Sequence, residues 1–260
     1  MDDSDLITQL AGFEDDYWWF VGRRKIIITL IEEHLTHTDK TNLKILDVGC
    51  GTGRITKALT KFGDVYGSDY SMAALKYARG YGLGNLIHCS ASNLPYRSET
   101  FDIITIFDVI EHIKDDVSVI KEISTCLKTD GAIFISVPAF QSLWSNHDIA
   151  VGHFRRYNTK SLLRVLMASG LQDLRTSYFI SLVFPFISAY RMISYRLRLR
   201  KTTSPKPDLI RLPTLINKCL KQILFFESKL LSQRNLPFGI SLLCIAGIRH
   251  SNIILGKDNT

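Results

Sequence analysis

The stretch ILDVGCGTGRITKAL, residues 45–59, places Gly49, Gly51 and Gly53 between an apolar run and a helical pattern. Glycines at this spacing let the chain turn sharply and let a ligand lie against bare backbone. Asp47 and Cys50 stand beside them, and a carboxylate at the end of such a run can meet a cation. Sixteen residues past Gly53, Asp69 closes a second apolar run, with Tyr70 next to it. A carboxylate there can accept both hydroxyls of a ribose. A GxGxxG dinucleotide turn would need glycine where this chain has Arg54, which disfavours a nicotinamide-dependent oxidoreductase. Three histidines, His112, His147 and His153, are candidate proton acceptors, because imidazole titrates near neutral pH. Arg155 and Arg156, followed by Tyr157, read as an anion clamp suited to phosphate or carboxylate.

These groups can act together only if strands end in one row. LKILDVG (43–49), DVYGSD (64–69), NLIHCS (85–90), FDIITIFD (101–108) and GAIFISVP (131–138) are rich in Ile, Val and Phe and bounded by Gly, Asp or Pro. Helical spacing separates them in RITKALTKF, SMAALKYARGYG and DDVSVIKEISTCLK, the last expected to close at Asp130-Gly131. Near-continuous apolar strands alternating with helices predict a parallel, doubly wound α/β sheet. Residues 139–158 read as a long aromatic and polar loop. A helix from Thr159 to Ser169, capped at Asn158 or Thr159, leads to the strand LQDLRTSYF, and GISLLCIAGI (239–248) is the final strand.

The glycine turn, Asp69, the segment SASNLPYRSETFDIITIFDVIEHI (90–113) and their order resemble the class I S-adenosylmethionine-dependent methyltransferases over about residues 43–138. The resemblance implies a Rossmann-like, seven-stranded, mostly parallel sheet with an antiparallel last strand and a helical insertion between the last two strands. It implies S-adenosylmethionine as cofactor, its methionine and ribose part along Gly49, Cys50, Gly51 and Gly53. Asp47 would lie near its amino group and Asp69 on its ribose hydroxyls, with Tyr70 adjoining. Adenine would meet Ser90, Ala91, Ser92 and Asn93, where the family often has Asp in place of Ser90. Phe107 and Asp108 would flank the sulfonium. No metal is implied. YWWFVGRR (17–24), GHFRRYN (152–158) and LPFGISLLCIA (236–246) further resemble a bacterial subgroup associated with surface-polysaccharide and lipid-linked glycan pathways. This implies a substrate role for Tyr17, Trp18, Arg23, Arg155, Arg156 and Tyr157, and transfer to oxygen of a small or lipid-linked acceptor such as a glycan precursor. A quinone or other lipid methyltransferase, and a non-catalytic membrane- or RNA-binding protein of the same fold, are the alternatives.

A chain of 260 residues, 46% hydrophobic and 22% charged, can bury a full core. Its net charge of +7 is uneven, for thirteen Lys/Arg against three Asp/Glu follow from Arg191 onward. That balance suits an anionic partner, membrane surface ahead of nucleic acid. The five scattered cysteines lack any CxxC pair and suit reduced thiols, hence a cytoplasmic place, peripheral at the inner face of the membrane. The fifteen uncharged residues between Arg175 and Arg191 would reach about 22 Å as a helix, too short to span, and Pro185 is expected to interrupt them. The expected organisation is N-terminal lid helices (1–42), a core (43–180 and 236–250), and a basic helical insertion (181–235). TTSPKP (202–207) is its expected flexible link. On a helix over 213–233, Leu215, Ile216, Cys219, Leu220, Ile223, Leu224, Phe226, Leu230 and Leu231 fall within one half-turn and Asn217, Lys218, Lys221, Ser228 and Lys229 face the other way, with Phe225 and Glu227 breaking the pattern.

Overall fold

The computed structural model describes residues 3–38, 40–196 and 211–248. Its elements in chain order are α1 (Asp3–Ala11), α2 (Trp18–Leu35), β1 (Leu43–Val48), α3 (Arg54–Leu59), β2 (Gly63–Asp69), α4 (Met72–Gly80), β3 (Leu86–His88) and β4 (Phe101–Phe107). There follow α5 (Asp116–Thr125), β5 (Leu127–Pro138), α6 (Asn146–Val151), α7 (Thr159–Ala168), β6 (Leu171–Phe179), α8 (Phe184–Arg196), α9 (Thr214–Leu231) and β7 (Ser241–Ile248). The link at 202–207 and the core's last two positions, 249 and 250, lie outside the described residues.

Among the described residues the strands form one seven-stranded sheet in the order β3-β2-β1-β4-β5-β7-β6. β1 through β5 pair in parallel, and β7 slots antiparallel between β5 and β6. This is the doubly wound sheet with an antiparallel last strand and an insertion before it. Side chains alternate along the strands, so the two faces build two cores. Ile104, Ile106, Ile133 and Ile135 pack with Val119, Ile120 and Ile123 of α5 and Leu162 and Leu166 of α7. Ile103, Phe107 and Phe134 pack on the other face with Ile26, Ile27 and Ile31 of α2 and with Leu224 and Leu231 of α9. Full burial of each such side chain contributes about 1.5–3 kcal/mol before entropy is counted.

Four local expectations change. The helix after residue 115 ends at Thr125, not at Asp130-Gly131, because buried Leu127 already pairs with Phe101 and starts β5. Pro185 does not interrupt the apolar segment; it sits in the first turn of α8, where its missing N–H costs nothing. The 139–158 loop contains α6. On α9 the apolar half is packed only in part: Leu224 and Leu231 are buried, but Leu215, Ile216 and Phe226 are exposed, and Asn217 and Ser228, expected outward, are buried together with Glu227.

Polar anchoring decides that rotation of α9. The Asn217 side chain accepts the Trp18 backbone N–H at 2.9 Å and donates to the Asp16 carbonyl at 2.8 Å, tying α9 to the start of α2. The Glu227 carboxylate accepts the N–H groups of Ser181 and Leu182 at 2.9–3.0 Å, just after Ile180 takes a positive φ of 57°. Gly22 makes the approach of α2 and α9 possible, since a Cβ there would stand 2.2 Å from Leu224 Cδ1.

Candidate active site

A cavity of about 130 Å³ opens at the carboxyl ends of β1 and β4. Asp47, Gly49, Cys50, Gly51 and Phe107 line it together with Arg23, as the sequence led one to expect. Glu14, Phe20, Arg24, Thr52, Arg54 and Ile55 line it too. Thr52, Arg54 and Ile55 belong to the turn and the start of α3, Phe20 comes from the aromatic lid segment and Arg24 neighbours Arg23, whereas Glu14 reaches the cavity only through folding of the N-terminus over the turn. Glu14 accepts from the Thr52 hydroxyl and Asp15 pairs with Arg54, so residues 14 and 15 strap the glycine turn. With the strap in place the cavity is smaller than the roughly 300 Å³ usual for a ligand site.

The turn is built for a ligand against backbone. Gly49, Gly51 and Gly53 have φ of +71°, +55° and +86°. Above Gly51 nothing lies within 4 Å of the Cβ direction, whereas a Cβ on Gly53 would meet Ala78 at 2.7 Å. Gly53 therefore serves helix packing, at the head of α3. The Asp69 carboxylate accepts the N–H groups of Gly51 and Ser71, both at 2.8 Å, which fixes it at the end of β2 beside the turn. Tyr70 is exposed and its carbonyl accepts from His88 Nε2 at 2.7 Å. Ser90, Ala91, Ser92 and Asn93 form a turn at the end of β3, closed by the Asn93 N–H on the Ser90 carbonyl at 3.0 Å, and do not line the cavity.

Asp47 is buried and accepts hydroxyls from Thr56 at 2.6 Å and Thr105 at 2.7 Å. Burial pushes its carboxyl up to about 6, against the pull of those hydrogen bonds. In the ligand-free protein this raised value means that its stabilising contribution is present below about pH 4 and is lost as pH rises through 6. A cationic ligand group at Asp47 reverses the preference. Affinity for such a ligand should therefore climb as pH rises from 5 to 7, by up to about tenfold per unit below 6, and then level off. Calorimetric titration across that range checks this; a flat wild-type profile, or one that Asp47→Asn leaves unchanged, would refute it.

Past Phe107 the chain takes a strained step. Asp108 has φ +56° and is held by Arg23 at 2.8 Å and by the Ser136 hydroxyl at 3.1 Å. A short 3-10 turn, Ile110–His112, then brings Glu111 under the loop after β5, where the Phe154 N–H donates to the Glu111 carbonyl at 2.7 Å. Within that loop a capping box between Ser145 and Asp148 starts α6, and Gly152 at φ +78° ends it and turns His153 back over Glu111. All three histidines meet here. The His153 ring centroid lies 4.6 Å from that of His112 and 6.1 Å from that of His147.

Electrostatics sort their roles. Asp148 is buried; although burial disfavours its charge, hydrogen bonds from His153 and Arg156 hold it well below the usual carboxylate range. An ionised Asp148 accepts from His153 Nδ1 at 2.9 Å, so Nδ1 carries the proton and Nε2 faces Glu111, 3.8 Å away. The protein packed around His112, and then the His153 imidazole, hold His112 down at about 4, although its edge is open to solvent. Glu111 is fully buried with no hydrogen-bond partner on its carboxyl among the described residues; burial, then Asp108, raise it well above the ordinary value. A proton or a cation must neutralise it. Ligand atoms of Glu111, His112 and His153 lie within 4.8 Å of one another, so the trio could hold a metal ion, a grouping the sequence expectation of no metal did not contain.

The expected anion clamp is not open. Arg155 donates to Asp116 Oδ2 at 2.7 Å and to the Lys114 carbonyl at 2.6 Å, and Tyr157 is buried with its hydroxyl donating to the same Asp116 at 2.7 Å. Arg156 donates to Asp148 through Nε at 2.7 Å and Nη2 at 3.0 Å. Unpaired guanidiniums beside these carboxylates would be costly, so the fold uses both. Trp18 likewise turns away from the cavity, into a groove between α8 and α9, while Tyr17 stacks among Phe13, Trp18 and Phe20.

Residues 46–135 match the family model described as a methyltransferase domain. A ubiquinone biosynthesis O-methyltransferase of Haemophilus ducreyi is 32% identical over 104 residues, which are 36% of this chain and 44% of the relative. One of Coxiella burnetii is 26% identical over 147 residues, 52% of this chain and 62% of the relative. The chain thus spans about half the length of the curated relatives it matches. A SAM dependent methyltransferase from Archaeoglobus fulgidus superposes with a TM-score of 0.54 at 18% identity, covering 86% of this chain and 93% of that one. The [4+2]-cyclase SpnF also gives 0.54 at 18% identity, over 85% and 81%. Such distant likenesses show the fold alone, and a fold does not name a reaction. The pocket residues do fit the cofactor, with open backbone above Gly51, a fixed carboxylate at Asp69, a buried one at Asp47, and guanidiniums of Arg23 and Arg24 for its carboxylate. Residues 46–135 thus match a methyltransferase domain, carried on a sheet whose fold is that of the methyltransferase structures it superposes with.

Proposed function

We propose that the protein is an enzyme that moves a methyl group from S-adenosylmethionine to a hydroxyl of a small, lipid-linked acceptor, working peripherally at a membrane. The observation that carries this reading is the cluster of Asp148, His153, Glu111 and His112 at the carboxyl end of β4, four residues or fewer in sequence beyond the cavity-lining Phe107 in the case of Glu111. When bound, S-adenosylmethionine supplies a methyl group already activated on a positive sulfur. The chain then has to hold the acceptor in line, keep water out and take up the hydroxyl proton. His153 is the base, through Nε2, and Asp148 fixes its ring and tautomer from the far side. Phe107 and the Arg23–Asp108 pair wall the transfer position.

The relatives' names favour a quinone-type acceptor; nothing in them supports the glycan precursor implied by the GHFRRYN segment. Calorimetry with S-adenosylmethionine and its demethylated product, followed by labelled-methyl transfer to a phenol bearing a short isoprenoid chain, tests the reading. Binding and transfer are expected. If neither cofactor form binds, the enzyme reading falls; if both bind and no phenol or lipid extract takes label, the non-catalytic alternative replaces it.

A further inference from the structure

Helices α8 and α9 leave an apolar face that nothing in the chain covers among the described residues. Phe186 is 77% exposed and Leu215 74%, and Tyr190, Ile216 and Phe226 are exposed beside them. Between the two helices runs a groove of about 320 Å³ floored by Trp18 and Val183 and walled by Phe186, Tyr190, Leu220 and Ile223. Soluble surfaces rarely keep contiguous apolar area of this kind without a use. No acid offsets it. α8 has none in FPFISAYRMISYR, and the single acid of α9, Glu227, is turned inward onto the Ser181 and Leu182 N–H groups. Exposed Lys218 and Lys229 lie on α9, and the sequence from Arg191 near the end of α8 to Arg211 before α9 contains seven Lys/Arg against Asp208 alone.

We propose that this face docks onto an anionic lipid bilayer, with α8 and α9 lying flat and Phe186, Leu215 and Phe226 entering the boundary between headgroups and acyl chains. Apolar area plus cationic charge is the pairing that gives reversible interfacial binding. No described helix is long and apolar enough to cross a membrane, so the contact is with the surface. A second copy would cover the apolar residues but set two basic segments against each other. RNA would find rings here but no polar, cationic groove to carry its backbone past them, since the groove is lined by apolar side chains. The inference deepens the proposed function by giving the enzyme a place beside lipid-linked acceptors, yet it stands on the surface alone.

Vesicle flotation of the full chain tests it, using phosphatidylcholine alone and phosphatidylcholine with phosphatidylglycerol. The expected result is flotation with the anionic vesicles that weakens with salt. Phe186→Asp/Leu215→Asp/Phe226→Asp should lower the apparent affinity at least about tenfold, and Lys218→Glu/Lys229→Glu should lower it severalfold for anionic vesicles only. Cofactor binding by calorimetry should stay unchanged in both, which shows that they fold and reads the methyltransferase assignment separately. Absence of wild-type flotation, equal flotation with neutral vesicles, or unaltered flotation of the triple variant overturns the proposal. So does a concentration-dependent dimer that the triple variant abolishes, which would give the face to a second copy.

Discussion

His153→Ala is expected to lower kcat by about 10²- to 10⁴-fold while the cofactor dissociation constant stays within about twofold of wild type. The side chain is nearly buried, its Nδ1 is committed to Asp148, and its Nε2 faces the space above Glu111 and His112. That is the arrangement of an oriented base. The loss should fall on kcat because a proton acceptor acts in the transition state, whereas the proposed cofactor site, lined by Gly49, Gly51 and Phe107, does not include the imidazole. The variant should fold, since Arg156 and the Ser145 N–H still satisfy Asp148. His112→Ala and His147→Ala are the controls, and each should cost far less. Added imidazole should restore part of the His153→Ala rate. A loss below threefold, or an equal loss in cofactor affinity, would remove His153 from the chemistry.

Arg156→Leu should destabilise the protein by about 3–5 kcal/mol at neutral pH, since removing one partner of a buried pair strands the other charge. Asp148 and the Arg156 side chain are both almost fully buried, and two charge-assisted hydrogen bonds join them while Arg156 Nη1 also donates to the Ala139 carbonyl at 3.2 Å. For a chain of this size the expected fall in Tm is roughly 6–20 °C. The sign of the pH dependence follows from Asp148. Its carboxyl is held below the ordinary value, so the stability it contributes is present above about pH 4 and is lost as pH falls further. The gap between wild type and Arg156→Leu should therefore narrow in acid. Urea unfolding at neutral and acid pH measures both effects. Asp148→Asn in the same background should cost less than the sum of the single changes, because the two residues share one interaction. Wild-type stability in Arg156→Leu would mean that this arginine is free to meet a substrate anion after all.

Much of this molecule could be read from the chain. The glycine turn, Asp47, Asp69 and the strands that carry them depend on short-range rules, strand period, positive φ and the spacing of turn residues, whereas the antiparallel last strand was implied only by the family resemblance. The cavity accordingly contains Gly49, Gly51 and Asp47 where the spacing placed them, and Phe107, which the family resemblance implied. Helix faces were harder. Hydrophobic periodicity grouped Leu215, Ile216 and Phe226 with Leu224 and Leu231 on one side of α9, and the fold buries Leu224 and Leu231 but packs Asn217, Glu227 and Ser228 in place of the first three. Periodicity weighs apolar area, and here specific hydrogen bonds from backbone N–H groups more than 45 residues away along the chain outweigh it.

By itself, then, the sequence determined the sheet, its winding, the cofactor turn and the basic character of the region after Arg191, all local or compositional properties. Tertiary structure alone decided that His112, His147 and His153 share one cluster, that Asp148 orients one of them, and that Arg155 and Arg156 serve the fold. Pairing of charges across long loops depends on which carboxylate the folded chain brings within about 3 Å, and that distance is written in no single stretch of residues.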